Sequence, residues 1–171
     1  MTATLVAGSD PARELGLSRL IEAPRPDVWR CWTEPDLIQR WFAPLPWTTP
    51  EVAFDLRPGG ASRVVMRSPA GEEITRRGVF LDVVEGALLV LTDAYVSAWI
   101  PSDKPFLTLI VTLADEAEGT RYTALARHWT AEDRARHEAM GFHQGWAACA
   151  DQLEALARSL QGPPLADMLV P

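Results

Sequence analysis

The chain has 171 residues, 47% hydrophobic and 23% charged, which is the makeup of an ordinary globular protein with room for a substantial core. A formal net charge of −7 argues against nucleic acid as a partner, since that binding rests on neutralising phosphates with Lys and Arg. No apolar run is long enough for a membrane span, and the first ten residues lack the basic start and apolar stretch of a secretory signal.

Residues 1–12 read as a tail and 15–23 as a first strand. Pro24 and Pro26 then break the chain, and two short helices follow over 27–33 and 36–42, separated by Pro35. Val28, Trp32, Leu37 and Trp41 are their inward residues, with Arg30, Gln39 and Arg40 outside. A strand at 51–56 ends at Arg57-Pro58-Gly59-Gly60. In the next, 61–68, Ser62, Val64 and Met66 alternate with Arg63, Val65 and Arg67, which puts Val64 and Met66 inside. Ser68-Pro69-Ala70-Gly71 turns the chain into a long strand, 72–84. Its inward face is left open by the pattern, because Gly78 marks a candidate bulge that would switch the alternation. Arg63, Arg67, Arg76 and Arg77 read as a solvated strip on the outer sheet face.

Glu85-Gly86 leads into a strand at 87–93, and then a loop of about a dozen residues, 94–105, carries Tyr95, Trp99 and Ile100. Loops of this length in compact domains are often lids or binding loops. A second hairpin pairs 106–114 with 120–129. Leu107, Leu109, Val111 and Leu113 share one face of its first arm, and Tyr122, Ala124, Ala126 and His128 share one face of its second. Thr130, with Asp133 three residues later, is a helix N-cap pair opening a long helix over 130–160.

On that helix Phe142, Trp146, Cys149, Leu153, Leu156 and Leu160 recur at spacings of three and four and form one apolar stripe, aromatic at one end and aliphatic at the other. Gly141 and Gly145 suggest a kink or a close approach of helix to sheet. Gly162, Pro163 and Pro164 end the helix and begin a second tail, 162–171. The order implies an α+β fold: one curved antiparallel sheet wrapped around a long C-terminal helix, with two short helices after the first strand. Seven tryptophans, concentrated in helices and loops, favour an aromatic ring around a pocket.

Several strings in this order resemble the START-like superfamily, also called SRPBCC or helix-grip proteins. They are Ala23-Pro24 with Val28-Trp29 and Trp41, the Pro58-Gly59-Gly60 turn, Thr92-Asp93-Ala94-Tyr95 and Pro101-Ser102. Further along come Thr120-Arg121-Tyr122, His128-Trp129, and Met140-Gly141-Phe142 with Gly145-Trp146. Within the superfamily the chain is similar to the branch named for activators of the 90-kilodalton heat-shock protein ATPase. The resemblance spans about residues 14 to 160 and implies a single START-like domain over 13–161. It also implies a cavity between sheet and C-terminal helix that holds a small apolar or amphipathic molecule. It does not imply one activity, because members include carriers, receptors and enzymes.

No nucleophile elbow, phosphate loop or dinucleotide fingerprint is present, and no cofactor is expected. His137 and His143 lie six apart on different helix faces, so a two-histidine metal grip is not expected, and His137 reads as a solvated or capping residue. Cys31 and Cys149 are far apart without metal or redox spacing, which points to a reduced, cytoplasmic protein.

The leading function is binding of a small apolar or amphipathic molecule. Its expected contacts are Trp32, Trp41, Phe42, Val64, Met66, Leu91, Tyr95, Trp99, Tyr122, His128, Phe142, Trp146 and Cys149. An alternative is a cyclase, dehydratase or hydrolase built on His128 with Tyr122 or Asp93. For Asp93 itself, strand termination is the simpler role. Ranked behind both is a co-chaperone of a heat-shock ATPase, since 171 residues leave no room for the additional N-terminal domain that characterised activators carry. Exposed edge strands leave room for a homodimer, which no segment requires.

Overall fold

The computed structural model describes residues 10–162, so nearly all of both expected tails lies outside the described residues. The elements run β1 (Glu14–Ile21), α1 (Arg25–Thr33), α2 (Pro35–Ile38), β2 (Thr48–Phe54), β3 (Ala61–Arg67), β4 (Glu73–Val84) and β5 (Leu88–Thr92). They continue with β6 (Tyr95–Ser97), β7 (Ile100–Pro101), β8 (Leu107–Glu116), β9 (Gly119–His128), α3 (Ala131–Ala139) and α4 (Phe142–Ser159). Seven strands form one antiparallel sheet in the order β1-β9-β8-β5-β4-β3-β2. With α4 lying in its concave face, this is the α+β helix-grip arrangement.

Period-2 alternation decides what the sheet turns toward α4. In β9, Tyr122, Ala124, Ala126 and His128 are buried while Arg121, Thr123 and Arg127 are less so. From β8, Leu109, Val111 and Leu113 join the same core. The long β4 does change face, but the irregularity falls between Phe80 and Asp82 rather than at Gly78. Before it Phe80 points into the core, and after it Val83 does. Gly78 has a different job. The chain leaving β5 crosses it so closely that a Cβ there would stand 2.4 Å from the Thr92 carbonyl oxygen.

The expected long helix is two helices. Thr130 caps the first as anticipated, its hydroxyl accepting the Asp133 N–H at 3.0 Å. Gly141 then adopts φ 94°, a left-handed conformation that ends one helix and redirects the chain into the next. Gly145 brings no close approach, since a Cβ there would meet nothing within 4 Å. The 94–105 segment, expected as an open loop, folds into its own two-stranded ribbon, β6 with β7. The second short helix is also briefer than the 36–42 reading, giving way to turns after Ile38.

α4 does not meet the sheet evenly along its length. Its C-terminal half packs fully, with Ala150, Leu153 and Ala157 almost without exposure and Leu156 close to it. Toward its N-terminus Trp146 is only partly buried. Half the helix closes the core and half roofs a space.

The two helix glycines should respond to alanine in opposite directions. Gly141→Ala forces a side chain into the left-handed region and should lower stability by about 1–2 kcal/mol. Gly145→Ala relieves backbone entropy at an unobstructed helical site and should raise it by about 0.5–1 kcal/mol. Urea unfolding of the two variants checks both signs.

Candidate functional site: a tryptophan-walled cavity

Under the N-terminal half of α4 lies a cavity of about 380 Å³. Four of the seven tryptophans line it: Trp32 from α1, Trp41 and Trp47 from the segment between α2 and β2, and Trp146 from α4. Trp32 and Trp41 meet edge to face at 4.8 Å between centroids, and Phe42 stands edge-on to both. Val64 and Met66 from β3, Leu91 from β5, and Phe142 and Cys149 from α4 complete the apolar wall. Ile74, Arg76 and Met140 line the cavity and are also solvent-exposed, so they form its rim.

Nine of the thirteen expected contacts lie on this wall: Trp32, Trp41, Phe42, Val64, Met66, Leu91, Phe142, Trp146 and Cys149. Four do not. Tyr95 and Trp99 pack on each other at 5.8 Å in the β6–β7 ribbon, and Trp99 is 74% exposed. The ribbon gives them a partner of their own and carries them off the cavity. Tyr122 is sealed in the core beside Trp32, and burial pushes its phenol well above its ordinary pKa. His128 is also buried, one residue behind the wall.

The family model described as "Activator of Hsp90 ATPase homolog 1-like protein" matches residues 22–158. The chain belongs to this family. Among solved structures, protein NE0264 from Nitrosomonas europaea is 39% identical with a TM-score of 0.87, covering 91% of this chain and 100% of its own. Protein Ms6760 from Mycobacterium smegmatis shares the fold at 23% identity and TM-score 0.75, covering 88% of this chain and 94% of its own. A Rhodobacter sphaeroides protein does so at 20% identity and TM-score 0.78, covering 90% and 97%. No curated protein matches. The fold is one typical of ligand-binding domains.

Within this family member the polar groups of the cavity gather at one end. Asp93, at the exit of β5, accepts the backbone N–H groups of Phe106 at 2.8 Å and Leu107 at 3.1 Å, both on Oδ1. Burial pushes its carboxyl pKa up, and those two hydrogen bonds together with the Arg76 charge oppose the rise. Arg76 corrects the expected arginine strip. Its register partner is the inward Val64, so it shares the cavity face. Arg63 and Arg67 lie on the opposite face, ion-paired with Glu51 and Glu73. Arg76 has no ion pair among the described residues.

His137 is the second correction. Only partly exposed, it lies on the wall between Phe106 and Phe142, with centroids 5.3 and 5.0 Å away. Its Nδ1 stands 2.8 Å from His128 Nε2. The helix break explains the error: α3 is a separate short helix laid across β1 and β9, so its second turn faces His128. Among the described residues no hydrogen bond joins any two of His128, Tyr122 and Asp93, so the enzyme reading finds its three candidates unassembled. Among them, too, no cluster of three or more His, Cys, Asp or Glu could hold a metal, and no helix is long and apolar enough to cross a membrane.

Burial, with lesser contributions from His128 and Arg76, pushes the His137 imidazole down from 6.5 to about 4. The unfolded chain therefore takes up a proton between these values that the folded chain refuses. His137 should cost no stability above pH 6.5 and progressively more as pH falls toward 4. Asp93, whose pKa is raised, acts with the opposite sign because its folded form holds the proton more tightly. Urea midpoints at pH 7 and pH 5 should converge more in His137→Phe than in the parent.

Proposed function

We propose that the protein binds a small, largely apolar or amphipathic molecule in the cavity between sheet and α4, as a cytoplasmic carrier or receptor rather than as an enzyme. The observation that carries this reading is the cavity itself, about 380 Å³ walled by Trp32, Trp41, Trp47 and Trp146. That volume lies within the range of small-molecule sites, and an apolar wall with a few convergent polar groups is their usual chemistry. Cys149 and Cys31 are buried thiols, pushed by burial up to about 11 and about 12, which suits a packing role over a nucleophilic one. The family's description refers to activators of an ATPase, and the ligand-binding reading does not depend on that activity.

Titration with N-phenyl-1-naphthylamine should quench tryptophan fluorescence saturably, because four indoles face the space it would fill. A flat titration would remove the reading. Trp146→Ala should weaken probe binding about tenfold or more. Its stability loss should stay below the about 3–5 kcal/mol of a fully packed tryptophan, since the indole is only partly buried. Thermal unfolding with and without probe separates the two effects.

A further inference from the structure

We propose, resting on the cavity reading, that the ligand carries a neutral hydroxyl, a phenol or an alcohol, whose proton is accepted by His137 Nε2. A chain of hydrogen bonds sets the tautomers of His128 and His137. His128 Nδ1 lies 2.9 Å from the Arg13 carbonyl oxygen. A carbonyl only accepts, so that nitrogen carries the proton. In the neutral ring the other nitrogen, Nε2, is then a bare acceptor. Its neighbour at 2.8 Å is His137 Nδ1, which must therefore donate. That fixes the second ring in turn, leaving His137 Nε2 as an unprotonated lone pair.

Burial pushes the His137 imidazole down to about 4, so that ring is neutral near pH 7. Neither His128 nor His137 has a carboxylate partner among the described residues, and His128 is 2% exposed. His137 Nε2 has no hydrogen-bond partner among the described residues, and it is not one of the fully buried unpaired atoms, so it remains reachable. The ring it belongs to lines the cavity.

The neighbouring charges narrow the choice of donor. Arg76 is a donor-only cation and Asp93 is a carboxyl group; both line the same end of the cavity, and the Arg76 charge acts on Asp93 and on His137. A ligand carboxylate would be drawn to Arg76 but would confront the His137 lone pair and Asp93. A ligand ammonium would suit His137 and Asp93 but would be repelled by Arg76. A hydroxyl can donate to His137 and accept from Arg76 without adding charge.

Isothermal titration with 2-naphthol, 2-methoxynaphthalene and 2-naphthoate tests this on the whole chain. The expected result is 2-naphthol tightest by about tenfold, the worth of one good buried hydrogen bond. That advantage over the methyl ether should vanish in His137→Phe while methyl ether binding persists. Equal binding of naphthol and ether, or naphthoate binding tightest, would overturn the proposal and leave the cavity reading standing. Binding of none of the three would overturn both. Long-range nitrogen–proton NMR of the unliganded parent protein gives an independent check that needs no variant. A His137 ring protonated at Nδ1 and bare at Nε2 supports the proposal, and a proton on Nε2 overturns it.

Discussion

Gln152 holds the cavity together from outside it. Its amide nitrogen donates to the backbone carbonyls of Trp41 at 2.9 Å and Ala43 at 2.8 Å, and its carbonyl oxygen accepts the Leu45 N–H at 3.1 Å. One turn earlier the Cys149 thiol donates to the Phe42 carbonyl. The 41–45 segment has no sheet or helix partner for these groups, and unpaired backbone polar groups near a core are costly. α4 supplies the partners, so the aromatic wall of Trp41 and Phe42 is fastened to the helix that roofs it. Trp41 is locked further because its indole N–H donates to the Cys31 carbonyl at 2.8 Å.

The same helix is tied to the far edge of the sheet by charge. Arg19 on β1 reaches Asp151 and Glu154, each at 2.6 Å, and Glu154 also accepts the Glu22 N–H. All these fastenings lie from Cys149 onward, where Ala150, Leu153 and Ala157 pack fully. Among the described residues the first turns of α4 are held by Phe142, packed against Leu15 and Ala126, and by His143 on Glu138, and Trp146 stands over the gap. An unfilled apolar space forfeits dispersion contacts that close packing would supply. The fold sustains the gap because its rigid half is anchored independently, and because Gly141 lets α3 swing aside and contribute His137 and Met140 to the wall.

Regular periodicity was what made the fold readable. The β9 alternation and the α4 stripe each repeat over many residues with little ambiguity, and the face each predicts is the one turned to the core. Expectation and structure part where periodicity is interrupted. Arg76 follows from pairing register with Val64, and the placement of the β4 irregularity near Leu81 cannot be read from one strand in isolation. Tyr95 and Trp99 went astray because a long aromatic loop reads the same whether it covers a pocket or pairs with itself. His137 was hidden by extending one helix through Gly141; the glycine was visible, but its positive φ was not. Tyr122 lies on the predicted face, yet sharing a face with the cavity is different from bordering it.

The polar groups around the space divide between structure and recognition. Asp93 spends one carboxylate oxygen on two backbone N–H groups, closing the β6–β7 excursion back onto β8. His128 uses both ring nitrogens, one on Arg13 and one on His137. Trp32 is the exception inside the apolar wall. Its indole nitrogen is buried with no hydrogen-bond partner of good geometry among the described residues. Single donors and acceptors spaced along an apolar wall orient a molecule, whereas proton transfer in a reaction needs an acid and a base held against the same atom. Among the described residues Asp93 is bonded to the backbone and His128 to Arg13 and His137, which leaves His137 Nε2 and the Arg76 guanidinium as the polar groups along the wall that face a molecule's donors and acceptors.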